Sequence, residues 1–319
     1  MTVFIIASLG CIFAPTVEVL IAFRFIQGIG AGAAVSVPRA VVRDLYTGHQ
    51  ATRLMSTMLL MVSLAPMLAP LLGSFLIIPF GWRAIFVAII VAALLSMLAT
   101  RFAMPETRPP EKRIPFSLAS IRGAFGVLIR DPMFLGVSLM GSSGMASFFI
   151  FLSTSSFLYI EFYGLTPTQY SFFVALNALG LIAASQIAAN LGARFGAVAV
   201  VFWSSTCFAV NGLVLLALFA LHLGSFPILV AMICLGNVFL GLILPTSVVL
   251  ALENHGPIAG TAAALSGSLQ NVIAAFAMAA SSITFDGTPI SLVAAIAVCG
   301  ILSFSFAFAT LRKRLTTSA

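Results

Sequence analysis

Residues 18–42, EVLIAFRFIQGIGAGAAVSVPRAVV, decide the fold class. Glu18, Arg24 and Arg39 are the charged side chains in the stretch, and the apolar residues fall on every face instead of alternating. At about 1.5 Å per residue such a helix is roughly 37 Å long, enough for a hydrocarbon core of about 30 Å. Working outward, similar apolar runs cover 2–14, 53–79, 82–104, 132–160, 168–191, 196–222, 226–252, 258–284 and 288–311. The whole chain of 319 residues is 61% hydrophobic and 7% charged, with a mean hydropathy of +1.18. Soluble domains carry about a quarter charged residues, so a soluble fold is excluded. Strands of a membrane barrel would alternate apolar and polar residues, so a β-barrel is excluded as well. A single anchor with an extramembrane domain has no polar block to build that domain from. The expectation is an all-α, polytopic membrane protein with about ten spans.

The first run is short. Met1 to Ala14 makes only about 21 Å of helix. It lacks a basic region before it and is followed by further spans, so it does not read as a signal peptide. It reads as a helix whose beginning lies upstream.

Breaks between runs carry Gly and Pro, and most are a few residues long, as antiparallel neighbours require. Residues 105–131, PETRPPEKRIPFSLASIRGAFGVLIRD, are different: a long basic joint with an amphipathic piece near 116–129. The expected organisation is an incomplete N-terminal bundle of four spans (1–104), a linker (105–131), a six-helix bundle (132–311) and a tail (312–319). With ten spans, one face of the membrane collects Arg39, Arg43, Arg53, Arg101, Arg108, Lys112, Arg113, Arg122, Arg130, Arg194, Arg312, Lys313 and Arg314. The other face has Arg83, and Arg24 stays inside a span. Positive loops stay in the cytoplasm, so both termini and the joint are expected there.

Several function classes fall away. The net charge of +7 is not gathered into a basic stripe with aromatics, which argues against nucleic acid. Cys11, Cys207, Cys234 and Cys299 lie far apart in apolar runs, without a CxxC pair. His49, His222 and His255 sit at different helix ends, so neither a metal nor a cofactor is expected. The enzyme motifs HExxH, GxSxG and the P-loop are missing from the sequence, and direct ATP drive has no support.

An ionisable side chain within a span costs roughly 2.5–3.5 kcal/mol on insertion scales, so Arg24 is a functional candidate, with snorkelling to the interface as the plain alternative. Gln27 follows at i+3 and Gly28 at i+4 on the same face, and Gly28, Gly30 and Gly32 allow a close backbone approach. All eight acids lie at helix ends or in loops, so the partner of Arg24 is either an amide or carbonyl or lies outside this chain. In SLAPMLAPLLGS (63–74), Pro66 and Pro70 with Gly73 would bend the third span. Phe151, Tyr159, Asn177, Asn237, Gln270 and Asn271 are candidates for a substrate cavity, with helix-to-helix bonding as the alternative for each amide.

These motifs together resemble the major facilitator superfamily. RFIQGIGAG (24–32) followed by VVRDLY (41–46) is similar to that family's fourth helix, with its RxxQGxGA pattern. APMLAPLLGS resembles the fifth-helix antiporter motif, with two of its usual glycines replaced, and MPET (104–107) resembles the exit from the sixth helix. FLSTSSFLYIEFYGLTP (151–167) and HGPIAGTAAALSGSLQ (255–270) resemble helices seven and eleven of the Bcr/CflA drug-resistance branch. The resemblance implies two bundles of six helices, with this chain matching from within the third helix onward and lacking the first two. It implies a proton-coupled antiporter of the bacterial inner membrane, exporting hydrophobic or amphiphilic drugs as a monomer by alternating access. Carried over by position, Arg24 with Gln27 would couple protonation to substrate binding. Asp44 would help hold the cytoplasmic gate, and Pro66, Pro70 and Gly73 would shape the fifth helix. Two alternatives stay open: a metabolite carrier of the same fold, and a truncated chain that inserts without transporting.

Overall fold

A computed structural model describes residues 1–45, 61, 69, 72–103, 118–255 and 258–315. The described residues are almost wholly helical and contain no strand. Seven of the described helices are long and apolar enough to cross a membrane, and Thr2–Ile12 is a shorter apolar helix. Much of the expected span 53–79 lies outside the described residues. The chain divides into two compact units, Met1–Phe116 and Ser117–Ala319.

The N-terminal unit contains α1 (Thr2–Ile12), α2 (Val17–Leu45), α3 (72–80) and α4 (Arg83–Ala103). Helix α1 packs against both α2 and α4. It buries Ala7, Ser8 and Cys11 on one face, one turn apart as a helix requires. The approach of α2 is set by Gly30, where an added Cβ would stand 2.8 Å from the Phe4 backbone nitrogen. Added Cβ atoms at Gly28 and Gly32 meet no described atom within 4 Å. Of the three glycines in the motif, Gly30 is the one that the packing of α1 on α2 requires. Arg83 Nε donates to the Ile12 carbonyl at 3.0 Å and so satisfies an exposed end of α1.

The C-terminal unit contains α5 (Leu118–Arg130), α6 (Pro132–Ser156), α7 (Pro167–Phe195), α8 (Ala197–Ala220), α9 (Phe226–Leu252), α10 (Ala259–Thr284) and α11 (Pro289–Leu315). Helix α6 touches α9, α10 and α11, and α9 is flanked by α7 and α8. Asp131 caps α6 by accepting from the Met133 N–H at 2.8 Å, with Pro132 at the first helical position. Thr166 and Gln169 form a reciprocal capping box at the start of α7. Gly241 on α9 lies against the Leu181 carbonyl of α7, so closely that any Cβ there would collide.

Helix α6 does not stop at Ser156. It runs on as a π turn over Phe157–Phe162, which no residue pattern in the sequence announces. Two apolar clusters hold the bundle. One gathers Ile150, Tyr159, Leu215, Leu229 and Leu292; the other gathers Phe134, Met140, Phe208, Ile243 and Leu311. On α8 and α9 the residues between the clusters include Asn211 and Asn237, and Ser147 of α6 lines a small cavity with them, all three buried. The core is therefore two greasy halves separated by a thin polar layer.

Candidate functional site

Arg24 and Gln27 stand one turn apart on α2, and the structure joins them. Arg24 Nη1 donates to Gln27 Oε1 at 2.7 Å. Gln27 Nε2 donates to Ser8 Oγ at 2.6 Å, and Ser8 Oγ donates to the Phe4 carbonyl at 2.7 Å. Each group in this relay donates once and the line ends on a backbone oxygen of α1. Gln27 is 3% exposed and Ser8 fully buried, while the Arg24 side chain is exposed within its unit. The Phe86 ring of α4 lies 5.8 Å from the guanidinium carbon, close enough for a cation–π attraction. The partner of Arg24 is thus an amide, one of the two options open from the sequence. An amide orients a guanidinium without neutralising it, and Arg24 has no carboxylate partner among the described residues.

The other members of the α2–α3 motif set are less informative. Asp44 lies in the last turn of α2. Pro66 and Pro70 lie outside the described residues. Gly73 is on α3, with no described atom within 4 Å of an added Cβ.

In the C-terminal unit the expected cavity residues separate. Asn177 (α7) and Asn237 (α9) meet: Asn237 Nδ2 donates to Asn177 Oδ1 at a long 3.4 Å. Asn177 Nδ2 donates to the Phe173 carbonyl one turn back, at 2.8 Å. Phe151 and Asn237 line a small cavity of about 10 Å³ together with Ser147 and Asn211. Asn211, absent from the expected cavity set, donates to the Met232 carbonyl at 3.0 Å. Tyr159 is fully buried in an aromatic cluster with Phe151, Tyr170, Phe173 and Phe226, ring centroids 5.2 to 6.3 Å from its own. Gln270 is half-buried, its amide 3.5 Å from where a Cβ on Gly141 would stand. Asn271 is exposed on α10 and bonds back to Gly267.

A larger concavity lies elsewhere. An open groove of about 830 Å³ runs between α7 and α9, walled by Phe173, Leu176, Leu179, Phe226, Cys234 and Val238. Its lining is nearly all apolar, and its size is that of small-molecule sites in general. Its signal is small residues facing one another, Gly180 against the Cys234 backbone, which a search for amides and aromatics overlooks.

One further pair is invisible in the sequence as a pair. His255 Nε2 stands 2.8 Å from Asp131 Oδ2, with the imidazole edge-on to Phe134 at 5.7 Å between centroids. Partial burial by itself would raise the Asp131 carboxyl, but the Met133 N–H and His255 bonds outweigh it and hold it below the ordinary value. The clue to the pair is that both residues fall at helix ends on the same expected membrane face. Among the described residues no group of His, Cys, Asp and Glu is arranged to hold a metal.

Comparison with known proteins gives the family and the fold. The family model of the Major Facilitator Superfamily matches residues 1–278. The uncharacterized MFS-type transporter YdgK of Bacillus subtilis (strain 168) is 32% identical over 268 residues, 83% of this chain and 66% of its own. A bicyclomycin resistance protein homolog of Haemophilus influenzae is 31% identical over 80% of this chain and 64% of its own. The multidrug resistance protein MdtL of Escherichia coli is 29% identical over 55% of this chain and 44% of its own. The chain thus spans less than two thirds of the length of these relatives. Among solved structures, a bacterial homolog of the human lysosomal transporter Spinster, inward-facing and occupied, superposes with a TM-score of 0.70. It is 16% identical, over 97% of this chain and 80% of its own, a likeness of fold alone.

Proposed function

Because the chain belongs to the major facilitator superfamily, a family of transporters and not of enzymes, we propose that it serves proton-coupled export of hydrophobic or amphiphilic small molecules. The observation that carries the substrate class is the apolar groove of about 830 Å³ between α7 and α9. A metabolite such as a sugar or amino acid needs several fixed polar contacts, and this wall offers almost none. The names of the H. influenzae and E. coli relatives, a bicyclomycin resistance homolog and a multidrug resistance protein, point the same way.

In this reading Arg24 is the coupling residue. Its charge is oriented by Gln27 and left unneutralised, so it attracts an ionised carboxylate and loses that attraction when the carboxylate takes up a proton. The remaining helices of the two bundles would rock about the cavity in alternating access, with no bond made or broken. The basic loops would face the cytoplasm of a bacterial inner membrane, with both termini on that side. The unit of function would be the monomer, working with lipid, protons and substrate alone.

Uptake of a lipophilic dye into inside-out vesicles, driven by an imposed proton gradient, tests the proposal. Accumulation should collapse on adding an uncoupler and be competed by other lipophilic compounds. Accumulation that survives the uncoupler overturns proton coupling; competition by sugars or amino acids alone overturns the substrate class.

A further inference from the structure

Among the described residues, helix α5 is held on one side only. Leu128 is fully buried against the second apolar cluster, Phe125 packs beside it, and the helix touches α6 and α10. A helix advances 100° per residue, so the side opposite Leu128 carries Arg122, Gly123, Gly126 and Arg130. Both arginines are exposed, and neither has a carboxylate partner among the described residues. Their positions are about 12 Å apart along the helix axis. Between them Gly123 and Gly126 leave the backbone bare, since an added Cβ at either meets no described atom within 4 Å. Val127 and Ile129 flank the strip, 55% and 54% exposed, one on each side.

We propose that this outer face of α5 binds phosphate groups of anionic phospholipids in the cytoplasmic leaflet. Two free guanidiniums separated by a bare glycine floor offer donors to two phosphate oxygens, or to the two phosphates of a doubly charged lipid. Val127 and Ile129 are placed to rest on the acyl region beside the headgroups, as on interfacial helices in general. The complementarity is with a negative surface: Arg108, Lys112 and Arg113 precede the helix in sequence, and Asp131 behind it is already engaged by His255. The choice of leaflet rests on the cytoplasmic placement under Proposed function; the choice of ligand rests on α5 itself.

Native mass spectrometry of the full chain, released from detergent micelles holding phosphatidylglycerol or phosphatidylcholine, reads this directly. Wild type should retain phosphatidylglycerol over phosphatidylcholine, with retention falling as salt rises. Arg122→Gln should weaken it about fivefold and the Arg122→Gln, Arg130→Gln pair roughly 25-fold, while Arg→Lys at both keeps most of it. Equal retention by wild type and the double Gln variant overturns the proposal. Loss in the double Lys variant equal to that of the double Gln variant also overturns it, because it would mean a folding defect and not lost charge. The leaflet is tested separately by Ile129→Cys in a chain with its other cysteines replaced. Labelling by an impermeant maleimide in inside-out vesicles supports the cytoplasmic side, and labelling from outside intact cells overturns the leaflet while leaving the lipid result to stand.

Discussion

The two units solve the same problem, polar groups at the depth of a membrane, in different ways. In the C-terminal unit the mid-bundle polar layer is made of neutral groups, Ser147, Asn177, Asn211 and Asn237, and the hydrogen-bonded Asp131 and His255 sit at a helix end. In the N-terminal unit a full charge stands two turns inside α2, tied by Gln27 and Ser8 to the α1 backbone. Interhelical amide bonds are worth about 0.6 kcal/mol each in membrane bundles, whereas a central cation costs several times that. Neutral amides are enough to hold helices together. Arg24 is more than packing requires, and that excess is the reason to read it as functional.

Five substitutions test this contrast. The largest effect is expected at the helix end. Asp131→Ala removes the α6 cap, about 1 kcal/mol, and strands a buried imidazole, about another 1–3 kcal/mol, measured by thermal melting. The acid dependence has a definite sign. The Asp131 carboxyl is held below its ordinary value of 3.8, so its contribution is complete above that value. It fades only as pH falls through the lower folded value, and a melting loss already evident at pH 6 contradicts the assignment.

Next is the relay. Gln27→Leu takes the acceptor from Arg24 and the donor from Ser8, and should destabilise by about 2 kcal/mol. Asn237→Leu, which breaks only the long bond to Asn177, should cost under about 1 kcal/mol. If Asn237→Leu costs as much as Gln27→Leu, the distinction between glue and relay fails. The smallest effect is at Gly28, where an added methyl meets no described atom within 4 Å and Gly28→Ala should stay within about 0.5 kcal/mol. Gly30→Ala, pressed against Phe4, should cost about 1–3 kcal/mol by melting.

What can be read from the sequence follows the same division. Hydropathy and the positive residues make the all-helical membrane class plain, because lipid imposes helices on any such stretch. The i, i+3 spacing by itself puts Gln27 beside Arg24 on one helix face. Ser8 cannot be found that way, since its role depends on how α1 crosses α2, a packing outcome fixed at Gly30. The groove between α7 and α9 is hidden for a similar reason: Gly180 and Gly241 bring the helices close, and a glycine's spacing in sequence does not say what faces it. The Asp131–His255 pair spans 124 residues and needs α6 and the α9–α10 connection to meet at one end.

One measurement addresses the proposed role of Arg24 in linking proton movement to export. Proton release on adding a lipophilic substrate should be recorded in proteoliposomes for wild type and Arg24→Ala. Wild type should show substrate-evoked proton release, and Arg24→Ala should lose at least about tenfold of it while retaining substrate binding. Wild-type proton release from Arg24→Ala contradicts that role.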